Sequence, residues 1–190
     1  MYIARILYPV EVLGCGKRVG IWFDGCPHHC DGCSNPELWE IQERYSISLE
    51  NVMKLINSIK SNNHIDGFTI TGGEPFYQAE ALDMLTEKLV AISDDILIYS
   101  GYKLQELYDL RSEHIESVIS RISVLIDGKY IAEQNNNCTL KGSENQKIHI
   151  FNNKYRQAYE EYLSYENRIQ NFTIGNSVIS VGIHKRDFKF

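Results

Sequence analysis

The sequence predicts an α/β fold, a partial (open) β/α barrel around a mostly parallel sheet. Three observations lead there. Strand-like and helix-like stretches alternate from residue 18 to about 130, the pattern of parallel strands joined by crossover helices. The strand-like stretches run into glycine-marked turns. The 190 residues are ample for one hydrophobic core but short of the ~250 typical of a closed eight-unit barrel. A single domain over residues 1–190 is therefore expected, with no linker to divide it.

The elements follow in order. "RVGIWFDG" (18–25) is rich in β-branched and aromatic residues and ends in glycine, which marks the first strand. The loop "GCPHHCDGCSNPELW" (25–39) follows it directly. In "SLENVMKLINSIK" (48–60), Leu49, Val52, Ile56 and Ile59 recur at helical spacing behind Ser48, a suitable N-cap. "DGFTITGG" (66–73) is the second strand, and 77–91 is a helix with Leu82, Leu85 and Leu89 on one face. "DILIYSGY" (95–102) is the third strand, a helical stretch covers 103–120, and "RISVLIDGKY" (121–130) is the fourth strand. Residues 131–147 form a polar loop, "KIHIF" a further strand, and 153–164 a helix. "NFTIGNSVISVGIH" folds as a hairpin about Gly175-Asn176.

Composition narrows the function classes. Hydrophobic residues make up 43% and charged residues 23%, as in ordinary globular proteins. No apolar run approaches the ~20 residues that cross a bilayer. The start "MYIARILYPVEVLG" lacks the pattern of a signal peptide, so a cytoplasmic protein without a membrane partner is expected. The net charge is −6, and Lys and Arg are scattered except in the terminal "HKRDFKF", which does not favour a nucleic-acid partner. Five cysteines, Cys15, Cys26, Cys30, Cys33 and Cys138, are odd in number and bunched. That is a poor disulfide framework and a better metal-binding one in a reducing compartment.

Ligands of parallel sheets sit at the carboxyl ends of the strands. The cysteine loop, Thr71-Gly72-Gly73-Glu74-Pro75, Ser100-Gly101-Tyr102 and Asp127-Gly128-Lys129 each follow a predicted strand, so they are expected to converge on one rim. The spacing C-x3-C-x2-C provides three thiolates. These suit three irons of a four-iron cluster and leave the fourth open. On the loop alone a structural zinc remains an alternative, its fourth ligand drawn from His28, His29 or Cys15.

Cys26, Cys30 and Cys33 after the first strand, joined to Gly72-Gly73-Glu74-Pro75 after the second, resemble the radical S-adenosylmethionine superfamily. "GCPHHCDGCSNPELW", "YSGY", "LIDGKY", "KGSENQKI" and the terminal "VGI" with a late "DF" resemble its glycyl-radical enzyme activases, in particular those of anaerobic ribonucleoside-triphosphate reductase. Gly32 stands where many superfamily members have an aromatic residue before the third cysteine, a departure this subfamily shares. His28 or His29 is then the expected neighbour of the adenine.

The resemblance implies a [4Fe-4S] cluster on Cys26, Cys30 and Cys33. It implies S-adenosylmethionine bound by Gly72, Gly73, Glu74, Ser100, Asp127 and Gly182, with Val181 and Ile183 also along the adenine. It implies no separate acid–base residue. Reductive cleavage would yield a 5′-deoxyadenosyl radical that generates a glycyl radical on a large partner, the anaerobic ribonucleotide reductase. An electron donor such as flavodoxin would supply the electron. A small radical S-adenosylmethionine enzyme modifying a peptide or metabolite is the alternative, followed by a zinc-stabilised binding module. The two remaining cysteines are too few for a second four-iron cluster and are expected as free thiols. Trp39 is expected to pack the cysteine loop down, and one of Trp22 and Phe23 to be core. His64, His114, His149 and His184 are expected in solvent or packing roles.

Overall fold

The structure, a computed structural model, describes residues 1–185. The late Asp187-Phe188 and most of the basic terminal cluster lie outside the described residues. Strands β1 (Ile3–Val10), β2 (Arg18–Phe23), β3 (Gly67–Gly72), β4 (Ile96–Ser100), β5 (Val124–Asp127) and β6 (Lys147–Ile150) form one six-stranded sheet in that spatial order. Neighbours from β2 to β5 are parallel, whereas β1 and β6 close the two edges antiparallel. The expected α/β class and mostly parallel sheet are therefore present.

The crossovers are helical, as the alternation predicts. Helix α1 (Leu49–Asn62) joins β2 to β3, and its N-terminus is capped by the Ser48 hydroxyl, which accepts the Asn51 N–H. Helix α2 (Ala79–Leu89) follows a tight turn over Pro75–Gln78 and leads to β4. The stretch expected as one helix over 103–120 is two, α3 (Leu104–Asp109) and α4 (Glu113–Arg121). The break lies at Arg111, whose φ of 48° no helix accommodates. The bend lets Leu107 of α3 and Ile115, Val118 and Ile119 of α4 all enter the same core. After β6 come α5 (Arg156–Leu163) and the hairpin of β7 (Ile169–Ile174) and β8 (Ser177–Gly182), turning at Gly175-Asn176 as expected.

Strand β1 was not anticipated. Its buried positions do not alternate strictly and its pairing with β2 shifts register twice, so the period of two that identifies a strand is blurred. Pro9, which lacks a ladder donor, is tolerated because β1 is an edge.

Alternate strand residues divide the core. On one face Val19, Ile21, Phe23, Phe68, Ile70 and Ile98 pack against α1, α2, α3 and α4. On the other, Trp22 and Leu7 meet Val181 and Phe172 of the hairpin, while Leu97, Val124 and Ile126 meet Tyr159 and Tyr162 of α5. Phe23 is thus core, and Trp22 faces the hairpin side.

A buried ion pair locks that second layer. Arg18, fully enclosed at the start of β2, lies 2.5 Å from Asp95 Oδ2. It also donates to Phe68 O, Thr69 Oγ1 and Cys15 O. The Tyr159 hydroxyl donates to Asp95 Oδ1 at 2.8 Å, which fastens α5 to the sheet. The pair is stable in the interior because the remaining donors and acceptors are also satisfied.

Candidate metal centre

Because β2 to β5 are parallel, their carboxyl ends share one edge, and the loop after each meets the loops after the others. The cysteine loop leaves β2 and returns to its own base. Gly25 N–H donates to Leu38 O at 2.9 Å and Cys26 N–H to Trp39 O at 2.8 Å. Leu38 is buried beneath it. Trp39 stacks on His29, with centroids 4.8 Å apart and planes 13° from parallel. Trp39 therefore holds the loop down, as its position suggested.

Cys26, Cys30 and Cys33 line a cavity of about 520 Å³, within the range of small-molecule sites. Gly72, Gly73, Glu74, Ser100 and Gly182 line the same cavity, together with Val181 and Ile183. Of the nine cluster- and cofactor-binding residues expected from the sequence, Asp127 alone is not on its wall. Cys15 and Cys138 are not on it either, which removes Cys15 as a fourth ligand. Burial raises the Cys26 and Cys30 thiols above the ordinary thiol range, and it raises Cys15 further, to about 11. Metal ligation by the first two must therefore displace a proton.

Glu74 is fully buried and organises the rim. Its Oε1 accepts the Ser100 hydroxyl at 3.0 Å and the Phe76 N–H at 3.0 Å. Its Oε2 accepts the Gly101 N–H at 2.7 Å and lies 3.1 Å from His28 Nε2. Through these four contacts the side chain ties the cysteine loop, the turn after β3 and the turn after β4 to one another. Its own N–H donates to Gly25 O at 2.8 Å. The Ser100 hydroxyl also accepts the Tyr102 N–H at 3.1 Å.

The glycines after β3 serve this close approach. A Cβ on Gly73 would lie 2.3 Å from Gly25 O, and one on Gly72 would lie 2.4 Å from Phe23 O. Their bare sides face the neighbouring backbone of the β2 end.

Asp127 stands behind the rim. Its Oδ2 accepts the Leu104 N–H at 2.7 Å, at the start of α3, and lies 2.9 Å from His149 Nε2. The neighbouring Gly128 does line the cavity, and its N–H donates to Tyr102 O at 3.1 Å. Of the two histidines expected near an adenine, His28 lines the cavity, packed edge-on against Tyr102 at 4.5 Å. His29 is taken up by Trp39 instead.

Part of the cavity wall was not anticipated from the sequence. Tyr99, Leu13 and Ile179 line the cavity together with Trp22. The Tyr99 hydroxyl and the Trp39 Nε1–H are buried without a hydrogen-bond partner among the described residues. The alternation in "ILIYS" was the available signal, since it puts Tyr99 on the opposite face from Ser100.

The donor set can be tested against the two metal readings. Among the described residues, no group of three or more His, Cys, Asp or Glu side chains surrounds a single-ion position. A closed zinc site needs such a group. Three thiols lining one cavity instead suit a cluster, in which each iron takes one thiolate.

Comparison with known proteins agrees with this. The family model of a 4Fe-4S single cluster domain matches residues 12–149. An anaerobic ribonucleoside-triphosphate reductase-activating protein of Vibrio cholerae is 32% identical over 151 residues, which cover 76% of this chain and 95% of the relative. The protein of that name from Haemophilus influenzae is 33% identical over 153 residues, 76% of this chain and 95% of the relative. That of Enterobacteria phage T4 is 31% identical over 147 residues, 75% and 90% respectively. The family match ends at residue 149, so α5 and the hairpin, with the terminal "VGI", lie beyond it. No helix among the described residues is long and apolar enough to cross a membrane.

Proposed function

Since this chain belongs to the anaerobic ribonucleoside-triphosphate reductase-activating proteins and carries their 4Fe-4S single cluster domain, we propose that it makes a glycyl radical on a partner anaerobic ribonucleotide reductase by radical S-adenosylmethionine chemistry. One observation carries the reading: Cys26, Cys30 and Cys33 line a single cavity with the Gly72-Gly73 turn and with Gly182.

In this reading Cys26, Cys30 and Cys33 would hold a [4Fe-4S] cluster through their thiolates and leave one iron without a protein ligand, open to S-adenosylmethionine. Such a cluster would supply the one-electron reduction that splits S-adenosylmethionine into methionine and a 5′-deoxyadenosyl radical. That radical takes a Cα hydrogen from a glycine of the partner. The products are 5′-deoxyadenosine and a glycyl radical conjugated with its two flanking amides. An external one-electron donor of the flavodoxin type completes the balance, in the cytoplasm.

The chain's own residues bind, orient and exclude water. Glu74 and Ser100 hold the rim turns in place, and Asp127 acts at one remove by fixing the start of α3 beside Gly128. Trp22, Ile179 and Val181 give the cavity an apolar wall that shields a radical from solvent. The sheet serves as a partial, open β/α barrel, and the partner's glycine loop covers its open side.

The test is anaerobic. Reduced, iron-loaded protein is mixed with S-adenosylmethionine and the anaerobic reductase, and a glycyl doublet is sought by electron paramagnetic resonance. A doublet with stoichiometric 5′-deoxyadenosine is expected. Abundant 5′-deoxyadenosine with no doublet would assign the activity to another substrate.

A further inference from the structure

Tyr130 stands where the loop after β5 meets the cysteine loop. A Cβ on Gly32, between Cys30 and Cys33, would lie 3.5 Å from Tyr130 Cε1, and one on Gly142 would lie 3.1 Å from Tyr130 Cδ2. The two bare glycines thus flank opposite edges of the ring. The Tyr130 hydroxyl accepts the Asn135 side-chain N–H at 3.0 Å. The same amide nitrogen donates to the His184 carbonyl at 2.9 Å, just past the end of the hairpin. Asn135 Oδ1 accepts the Asn137 N–H at 3.0 Å, which fixes the amide plane. Both amide protons are therefore engaged in one bridge, and its two ends are the cysteine loop and the hairpin.

Both ends border the cavity: Cys30, Cys33, Tyr130, Gly182, Ile183 and His184 all line it. We propose that Tyr130 is a positioning residue which, through Asn135, fixes the end of the hairpin relative to the cysteine loop and so sets how closely the cavity fits S-adenosylmethionine. The proposal rests on the reading that this cavity takes S-adenosylmethionine. β7 and β8 pair with each other and not with the six-stranded sheet, and a two-stranded hairpin is marginally stable by itself. Its place beside the cysteine loop is therefore set by packing and by side-chain bonds such as those of Asn135 and of Asn167, which donates to Ile183 O. A ligand that touches the cysteine loop and the hairpin together binds more tightly when the two are already held at the right separation, because less ordering is left to the binding step.

Tyr130→Phe keeps the ring between the two glycines and removes the bond to Asn135. Two measurements read the consequence without turnover. Hydrogen exchange of the apoprotein reads the bridge: the amides of residues 178–184 are expected to exchange faster in Tyr130→Phe and in Asn135→Ala than in the wild type. Anaerobic titration of iron-loaded, oxidised protein with S-adenosylmethionine reads the fit. Affinity is expected to fall about 3- to 10-fold in Tyr130→Phe, the worth of one hydrogen bond. The double variant should bind no more weakly than Asn135→Ala alone, because the two residues act through one bridge. Iron content, and the reduced-cluster signal in electron paramagnetic resonance without S-adenosylmethionine, should stay those of the wild type. Unchanged hairpin exchange overturns the proposal, even if Tyr130→Phe fails to load iron. Unchanged affinity in loaded Tyr130→Phe, or additive losses in the double variant, also overturns it. A wild-type protein that carries the cluster yet binds no S-adenosylmethionine refutes the reading of the cavity, and the proposal with it.

Discussion

The Glu74 carboxylate accepts the Gly101 backbone N–H at 2.7 Å, so the turn after β3 and the turn after β4 move as one piece. The same carboxylate reaches His28 in the cysteine loop. Replacing it tests the rim directly. Glu74→Gln keeps the shape but turns an amide group towards donors that need acceptors. Stability of the apoprotein should fall by about 1–3 kcal/mol for the donor left unpaired. Anaerobic denaturant unfolding measures this, and an unchanged midpoint would remove Glu74 from the rim.

Two glycines test how tightly the rim is packed. A Cβ at Gly73 would lie 2.3 Å from the Gly25 carbonyl, and one at Gly101 would lie 2.3 Å from the His28 ring. Backbone yields less readily than a side chain, so Gly73→Ala should lose more than Gly101→Ala. Overpacking of this kind costs ~1–3 kcal/mol. Iron incorporated per chain is the readout, expected to rank wild type above Gly101→Ala and Gly101→Ala above Gly73→Ala. The reverse order would mean that the two turns are not in register as described.

The cysteines separate by location. Cys30 lines the cavity and Cys138 does not. Cys30→Ala is expected to abolish the brown absorption and iron retention of the reconstituted protein, whereas Cys138→Ala should keep both. Iron held normally by Cys30→Ala would show that the ligand set is misassigned.

The buried pair of Arg18 and Asp95 makes a stability prediction remote from the site. Arg18→Met leaves Asp95 enclosed and uncompensated, for a loss of about 3–5 kcal/mol. Arg18→Met combined with Asp95→Leu should recover much of that, because the stranded charge is gone. Thermal unfolding of both variants decides it. A double variant no more stable than the single one would show that the pair contributes through packing and not through charge.

The parallel strands, their helices and the hairpin at Gly175-Asn176 were legible because each rests on a local repeat of the chain. A helix spaces Val52 and Ile56 on one side, and a strand sends Tyr99 and Ser100 to opposite faces. The bunching of Cys26, Cys30 and Cys33 was equally plain, since ligands of one cluster supplied by one loop must be close in sequence. Strand β1 was less legible because Pro9 and two register shifts erase its alternation. The break at Arg111 was hidden because neither glycine nor proline marks it.

Partnerships between distant residues lay beyond any such reading. Glu74 and Gly101 are 27 positions apart, and Arg18 and Asp95 are 77 apart. Asp127 looked like a cavity residue from its place after a strand, yet it faces the Leu104 N–H and His149. A turn motif specifies where a side chain begins, and the packing of α3 and β6 against it specifies what it meets. The hairpin is the same case: its strands are written in its own alternation, whereas its seat over Trp22 and Tyr99 is selected by the apolar surface that only the assembled sheet presents. Local covalent geometry sets the elements and the thiol spacing; burial and hydrogen bonding between remote segments set which side chains share the cavity.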